Sequence, residues 1–129
     1  MTDKSAATIA LSYEDGVVTV AVQGRLTPEV GDELMRRSAA ALREFGALRM
    51  LHDLRRARLA ETTLQLIRRP RFATELAIAK DTRTALLCTV RTPDLEFLES
   101  IAENSGRTVR VFTDGALAFA GLKSEEHTQ

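Results

Sequence analysis

The sequence predicts one α/β domain, a mixed sheet of about five strands with about four helices packed on it. The first observation behind this prediction is composition, because 129 residues with 44% hydrophobic and 28% charged residues are typical of a single globular domain. The second is an opening pair of strand-like runs joined by a tight turn. The third is the regular alternation of strands and helices after that pair. It gives the order β-β-α-β-α-β-α-β-α and implies parallel neighbours joined by right-handed crossovers.

The opening pair is predicted to be an antiparallel hairpin. Its strands run from Thr8 to Tyr13 and from Val17 to Gln23, and Asp-Gly stands in the turn between them. An Asp-Gly pair supplies the positive φ angles that a tight hairpin needs. In the second strand, valines at positions 18, 20 and 22 alternate with smaller or polar residues, which predicts a sheet covered mainly on one side.

Two helices begin with the same signal, a threonine followed by proline. Thr27 and Thr92 each offer a hydroxyl that can accept a hydrogen bond from a free helix amide. The proline that follows suits the first helical position, where no N–H is needed. Apolar residues at helical spacing come next, and we predict that these two helices end at Gly46 and Gly106.

Three apolar runs predict interior strands: Leu48 to Leu54, Thr84 to Val90 and Thr108 to Phe112. Asp114 is predicted to cap a last short helix. Its apolar positions are Leu117, Phe119 or Ala120, and Leu122. We therefore expect a domain at 8–122, between an N-terminal arm at 1–7 and a polar tail at 123–129.

A broken helical pattern separates the third and fourth strands. It begins at Thr62 or Thr63 and is interrupted at Pro70, which predicts a kinked or two-part helix. Its apolar members are Leu64, Ile67, Phe72 and Leu76. The sequence leaves open whether these side chains close over a cavity or pack directly on the sheet.

Composition also excludes several classes of protein. Basic and acidic residues are balanced at 18 each, which does not favour a polyanion binder or an acidic tail protein. A single cysteine, Cys88, cannot form an internal disulfide and is expected to be a buried thiol. Histidines at 52 and 127 make no metal cluster and no glycine-rich phosphate loop occurs, so no cofactor or metal is expected. A polar N-terminus and the lack of a membrane-length apolar stretch lead us to expect a cytoplasmic protein.

Six short segments carry a resemblance to a known family. They are Gly16-Val17-Val18, Gly24-Arg25-Leu26-Thr27, Leu51-His52-Asp53-Leu54-Arg55, Thr84-Ala85-Leu86-Leu87, Val109-Arg110-Val111-Phe112 and Ala116-Leu117-Ala118. In this order and spacing, over about residues 8 to 122, they resemble STAS domains and more closely the SpoIIAA-like proteins grouped near them. The resemblance implies a single-domain SpoIIAA-like fold and a regulatory role without catalysis.

The resemblance fails at one functional position. In anti-sigma factor antagonists, the best-known STAS proteins, an aspartate that ends the third strand is followed two positions later by a phosphorylatable serine and then by glycine. The aspartate matches Asp53, but Arg55 stands at the serine position and Arg56 at the glycine position. The resemblance therefore implies a STAS domain without the phosphoserine switch. Phosphorylation of Thr62 or Thr63 would mean instead that the switch has moved.

A binding site is expected beyond the carboxyl ends of the parallel strands, as in other open α/β sheets. We predict that a ligand or partner contacts the residues Asp53, Arg55, Arg56, Arg58, Thr62 and Thr63. The stretch from Arg49 to Arg71 contains seven arginines against two acidic residues. These arginines could grip an anionic group, or they could simply form a solvated face.

His52 and Asp53 are adjacent, but they are not expected to act as a general-base pair. Neighbouring residues on a strand point to opposite faces of the sheet. We expect Asp53 to cap loop amides or to pair with Arg55 or Arg58. We expect His52 to be a partly buried, hydrogen-bonded strand residue.

The leading functional hypothesis is a non-enzymatic STAS-like regulatory module. It would bind a protein partner, or itself as a homodimer, through the edge from Asp53 to Arg71. The alternative is a small-molecule carrier that holds an apolar or anionic ligand in a pocket at the same edge. Nucleic acid is not expected, because the charge is balanced and aromatic residues are not interleaved with the arginines. No membrane partner is expected either.

Overall fold

The computed structural model describes residues 7–124, apart from the side chain of Thr63. The strands are β1 (Thr8–Glu14), β2 (Val17–Leu26), β3 (Arg49–Leu59), β4 (Arg83–Leu87) and β5 (Thr108–Phe112). The helices are α1 (Pro28–Phe45), α2 (Thr63–Ile67), α3 (Arg69–Glu75), α4 (Pro93–Asn104) and α5 (Gly115–Lys123). Most of the predicted arm and tail lies outside the described residues.

The five strands form one mixed sheet in the order β1-β2-β3-β4-β5. β1 pairs antiparallel with β2, and every later pair of neighbours is parallel. Along the chain the elements follow the predicted order, and the predicted two-part helix is present as α2 and α3. The predicted α/β fold class is confirmed.

The turn between β1 and β2 has the predicted chemistry. Asp15 and Gly16 have φ angles of 58° and 81°. Both values lie in the left-handed region, which a two-residue hairpin turn of type I′ requires at both central positions. The alternating valines Val18, Val20 and Val22 are all buried, as the alternation of the second strand predicted.

Helices cover the two faces of the sheet unequally. On one side, called the helix face here, the valines of β2 pack against Leu34 and Leu42 of α1, and α3 and α4 complete the layer. The opposite side, called the outer face, carries α5, whose Ala118 and Leu122 pack on Leu51 and its neighbours. α5 lies over β3, β4 and β5. Most of β1 and β2 is therefore open to solvent on the outer face.

β3 is longer than predicted. It continues to Leu59, so the predicted strand end at Leu54 is wrong. The reason is that β2 also continues beyond its predicted end at Gln23, and its last residues pair with the added residues of β3 as far as Leu26 with Leu59. The arginines that follow Asp53 are therefore strand residues and not part of a loop.

The two-part helix buries a different side chain from those predicted. α2 is a single helical turn, and the rigid ring of Pro70 lies in the first turn of α3, where no N–H is needed. Leu66 is 1% exposed, whereas Leu64 is 63% and Ile67 is 47% exposed. The prediction that Leu64 and Ile67 face inward is wrong. In a helix as short as α2, the path of the preceding chain determines which side of the helix faces the sheet.

β4 is shorter than predicted and ends at Leu87 instead of Val90. Leu87 pairs with Phe112, which is the last residue of β5, so no neighbouring strand remains to extend the ladder on that side. Cys88 comes directly after the strand and is buried, as predicted. Burial raises the pKa of its thiol.

The last helix begins as predicted and packs differently. The Asp114 carboxylate accepts a hydrogen bond from the amide of Leu117 at 3.1 Å, which confirms the cap. Leu117 itself is exposed, so its predicted place in the apolar stripe is wrong. Ala118 and Leu122 provide the buried side of α5 instead.

Candidate functional site

Asp53 is held by Arg55. Its carboxylate accepts hydrogen bonds from the Arg55 backbone amide at 3.1 Å and from Nε and Nη2 of the Arg55 guanidinium at 2.9 and 2.8 Å. The side-chain hydrogen bond from Arg55 is the largest cause that lowers the pKa of Asp53 below its ordinary value. The predicted pairing of these two residues is confirmed. An ionised carboxylate fixed in this way is a poor general base.

His52 points to the other side of the sheet and is buried. Its Nε2 lies 3.0 Å from Oγ of Ser38, and that hydroxyl donates its proton to the backbone oxygen of Leu34 at 2.7 Å. Nε2 of His52 therefore carries the hydrogen that is donated to Ser38. Burial lowers the pKa of His52 to about 4, so the ring is neutral at pH 7. The structure confirms a hydrogen-bonded strand histidine, more deeply buried than expected, and it places the side chains of His52 and Asp53 on opposite faces of the sheet.

A β-bulge turns the arginines of β3 onto the outer face. Ala21 of β2 pairs with Asp53, but the next pair in register is Gln23 with Arg56, so β3 contains one extra residue over this step. After the bulge, Ala57 packs on the helix face. The side chain of Arg56 therefore lies on the same outer face as that of Asp53. An open groove on this face is lined by Thr8, Ala10, Ala21, Val22, Gln23, Asp53, Arg55 and Arg56.

Three exposed arginines continue this surface along the sheet. Arg58 follows Arg56 on the outer face, and its partner in the parallel register is Arg25 of β2. No carboxylate among residues 7–124 lies within ion-pair distance of these three guanidinium groups. We call Arg25, Arg56 and Arg58 the basic strip. Sequence reasoning missed Arg25, and the signal that could have found it is that Leu26 continues the alternation of buried residues in β2.

A second arginine cluster was also missed. Arg69 of α3 forms ion pairs with Glu61 and with Asp32 of α1, the latter at 2.8 Å. Its Nη2 group also donates to the backbone oxygen of Pro28 at 3.4 Å. Burial lowers the pKa of Arg69, but the hydrogen bonds to Glu61 and Asp32 outweigh it and hold the pKa above its ordinary value. This Arg69 cluster fastens α3 to the first turn of α1.

The cluster depends on a glycine. A methyl group at Gly31 of α1 would collide with the guanidinium of Arg69 and the carboxylate of Glu61. Gly31 is itself buried. The absence of a side chain there lets the ion pair lie directly on the helix backbone.

A cavity lies beneath α3, between the helix face of the sheet and α1, α3 and α4. Its volume is about 100 Å³, and Pro70 and Ala73 of α3 form part of its wall. This answers the question that the sequence left open about the broken helix. The small-ligand alternative placed its pocket at the carboxyl edge of the sheet. This cavity reaches that edge at Leu26 and Glu61, and it also extends past His52 at mid-strand to Thr84 and Thr108 at the amino ends of β4 and β5.

Within residues 7–124, no three His, Cys, Asp or Glu side chains come together in a group that could hold a metal ion. No helix in the same part of the chain combines the length and the apolar character needed to cross a bilayer.

Three solved structures share this architecture. An anti-sigma factor antagonist from Mycobacterium paratuberculosis aligns with a TM-score of 0.61 and 13% identity, over 96% of this chain and 100% of that chain. The anti-sigma factor antagonist SpoIIAA in its unphosphorylated form aligns with a TM-score of 0.57 and 14% identity, over 92% of this chain and 100% of that chain. An uncharacterised protein with a SpoIIAA-like fold from Shewanella loihica PV-4 aligns with a TM-score of 0.57 and 14% identity, over 90% and 93%. This chain has a SpoIIAA-like fold.

The similarity rests on element order and geometry. No protein-family model matches the sequence, and no curated protein matches it. The predicted SpoIIAA-like domain is thus confirmed as a fold.

In this SpoIIAA-like fold, Thr62 and Thr63 lie past the end of β3. Thr62 caps α2, since its Oγ1 accepts a hydrogen bond from the Gln65 amide at 3.3 Å and Gln65 Oε1 accepts one from the Thr62 amide at 2.8 Å. Thr63 is the first residue of α2, and its side chain is outside the described residues. Thr62 does not line the outer-face groove. The predicted site residues thus fall into two groups, the arginines with Asp53 on the outer face and the threonines at the start of α2.

Proposed function

We propose that this protein is a non-enzymatic regulatory module of the STAS type. It binds an acidic surface of a protein partner through the basic strip, and it works without a phosphoserine switch. Two of the similar structures are described as anti-sigma factor antagonists, which is a regulatory role directed at another protein. The observation that carries the proposal is the basic strip itself.

The basic strip has an energetic cost that an external partner would offset. Arg25 and Arg58 are register partners, and like charges placed directly opposite each other destabilise a sheet. No acidic residue among the described ones neutralises them. Guanidinium groups form planar, two-pronged hydrogen bonds with carboxylates, so an acidic protein surface supplies the missing counter-charge.

The lack of a phosphoserine switch is supported by the environment of Arg55. The side chain at the position of the family's serine is an arginine that is hydrogen-bonded to Asp53. It lies inside β3, not at the start of a helix. Thr62, the nearest residue that caps a helix, uses its hydroxyl for the capping box of α2.

The absence of catalysis is supported by the positions of the titratable residues in the middle of the sheet. His52 is buried and neutral on the helix face, and Asp53 is bound to Arg55 on the outer face. The alternative, a carrier with a pocket at the carboxyl edge, is less well supported at Asp53, because the groove next to this residue is open to solvent and polar side chains make up half of its lining.

The test begins with native mass spectrometry of the purified protein, which reports the oligomeric mass and any bound partner. The partner is then identified by capture from the source cells, purified, and titrated with the protein. We expect the triple variant Arg25→Ala, Arg56→Ala, Arg58→Ala to weaken binding by at least about tenfold, most strongly at low salt. If the protein is a dimer that this variant dissociates, the partner is a second copy of the chain.

A matched control removes the same charge from the opposite side of the sheet. The variant Arg36→Ala, Arg37→Ala, Arg43→Ala changes three exposed arginines of α1 and should bind like the unaltered protein. If the basic-strip variant binds the partner with the same affinity as the unaltered protein, the basic strip is not the binding surface. Stoichiometric phosphate on Thr62 or Thr63 in cells would overturn the claim that no switch remains.

A further inference from the structure

The cavity beneath α3 has walls that are mostly apolar. Its volume of about 100 Å³ is two thirds of that of a cavity of about 150 Å³ that binds benzene in another protein, so it is of the order of size that takes a small organic molecule. Side chains from α1, α3 and α4 line it opposite the sheet, among them Leu34, Ala73 and Ala102. The cavity opens on the helix face and is therefore separate from the basic strip.

Arg107 lines this cavity and is 7% exposed. Its Nη1 and Nη2 groups donate to the backbone oxygens of Ala79 and Ile78 at 3.2 and 2.9 Å, and Nη2 also donates to the Thr74 hydroxyl. Its Nε is buried and has no hydrogen-bond partner in the described part of the chain. A buried donor without a partner is costly.

The charge of Arg107 also lacks a counter-charge. None of the ion pairs formed within residues 7–124 includes Arg107, and burial lowers the pKa of its guanidinium. The other buried cation on the cavity wall, Arg69, is fully paired with Glu61 and Asp32. His52 also lines the cavity, and it is neutral. Of the two buried cations on the cavity wall, Arg69 is therefore neutralised by carboxylates and Arg107 is not.

Two threonine hydroxyl groups share the cavity wall with Arg107. Thr82 and Thr84 are buried and line the same cavity. Arg83 pairs with Thr108 in the register of β4 and β5, so Thr82 and Arg107 occupy the positions directly before that pair. A threonine hydroxyl can donate a hydrogen bond to an anion that also contacts Arg107.

We propose that this cavity is a binding site for a small apolar carboxylate, of about the size of isovalerate. Its carboxylate accepts a hydrogen bond from Nε of Arg107, and its branched hydrocarbon part lies against the apolar walls under α3. This site is independent of the proposed partner surface, because the two lie on opposite faces of the sheet.

The test titrates the full-length protein with isovalerate and with isovaleramide, which has the same shape without the charge. Backbone amide NMR spectra should show saturable shifts for isovalerate at Thr82, Ala102 and Arg107. We expect isovaleramide to bind at least about tenfold more weakly, since hydrogen bonds to charged groups are the stronger ones. No saturable shift with isovalerate, or equal binding of the two probes, would overturn the proposal.

Two variants test the location. Ala73→Leu adds a side chain on the cavity wall and should abolish isovalerate binding, while Ala40→Leu, at an exposed position of α1, should leave it unchanged. Arg107→Met should lose at least about tenfold in isovalerate affinity and keep weak isovaleramide binding, and Arg107→Lys should restore part of the difference. If Arg107→Met does not fold, Ala73→Leu decides alone, and unchanged isovalerate affinity in that variant contradicts the site. Partner binding through the basic strip should be unaffected by Ala73→Leu.

Discussion

The outer face and the helix face use arginine in opposite ways. On the outer face, Arg56 and Arg58 lie in solvent beside Arg25, and no carboxylate of the described residues pairs with them. On the helix face, Arg69 is 14% exposed and held between two carboxylates, one of them Glu61, whose side chain is 2% exposed. Arg56, Arg58 and Arg69 all come from the arginine-rich stretch between Arg49 and Arg71. The difference teaches that counter-ions from distant elements decide which arginines hold the fold together and which remain available for a partner.

The largest expected effect breaks the Arg69 cluster. Arg69→Met should lower the free energy of unfolding by about 3–5 kcal/mol, because it leaves the Glu61 carboxylate buried without its partner. Urea denaturation measures this. The matched control is Arg71→Met, whose side chain is 84% exposed and which should change stability by no more than about 0.5 kcal/mol. Similar losses in the two variants would mean that the cluster does not secure α3.

A second experiment compares the two faces through the adjacent residues His52 and Asp53. Burial lowers the pKa of His52 from 6.5 to about 4, so the unfolded state takes up a proton first as the pH falls. The free energy of unfolding should therefore decrease between pH 6.5 and pH 4 by on the order of 3 kcal/mol. His52→Gln, measured by urea denaturation across this range, should flatten the slope.

Asp53 provides the control for that experiment. Arg55 lowers the pKa of Asp53 below its ordinary value of 3.8, so its contribution to stability is present above that value and is lost only at more acidic pH. Asp53→Asn should change the slope between pH 6.5 and pH 4 only slightly, because most of the Asp53 contribution is lost below pH 4. A slope that disappears in Asp53→Asn and survives in His52→Gln would reverse the assignment.

A third, smaller effect concerns the glycine beneath the Arg69 cluster. Gly31→Ala should cost about 1–3 kcal/mol, because the new methyl group displaces the guanidinium of Arg69 and the carboxylate of Glu61. In an Arg69→Met background the cost should be clearly lower, since the two changes disturb the same contact. Gly115→Ala is the control, because its methyl group would meet only Leu87 at an ordinary 3.7 Å. Additive losses for the Gly31 and Arg69 changes would argue against their contact.

The smallest effect should appear in the basic strip and have the opposite sign. Arg58→Thr should raise the free energy of unfolding by about 0.2–1 kcal/mol at low salt, because it removes a like charge opposite Arg25. The gain should shrink at high salt and disappear in an Arg25→Thr background. Loss of stability in Arg58→Thr at low salt would mean that the strip contributes to the fold and is not held ready for a partner.

Local signals were enough to predict the elements that are defined by neighbouring residues. The positive φ angles of Asp15 and Gly16, and the caps made by Thr27 and Thr92, each depend on a few residues of contiguous chain. The pairing of Asp53 with Arg55 was predictable for the same reason, since the two residues are two positions apart. The order of elements followed from these signals, and with it the fold class.

The strand ends were predicted incorrectly because they depend on pairing with strands that are distant in the sequence. β3 continues past Leu54 because further residues of β2 pair with it. β4 stops at Leu87 because β5 ends at the residue that pairs with Leu87. The bulge that turns Arg56 outward arises from the same long-range register. The periodicity of an isolated strand contains no information about the length of its neighbour.

The sequence by itself determined a mixed α/β sheet, its turn and caps, a buried Cys88 and a stretch rich in arginine, because each of these follows from local conformational preferences and composition. Only the tertiary structure decided which arginines are neutralised and where a cavity remains. Arg69 meets Asp32 across 37 positions of the chain, and Arg107 reaches Ile78 across 29. Such contacts form when helices dock on a sheet, so the pairing of charges and the space left between helices are properties of packing.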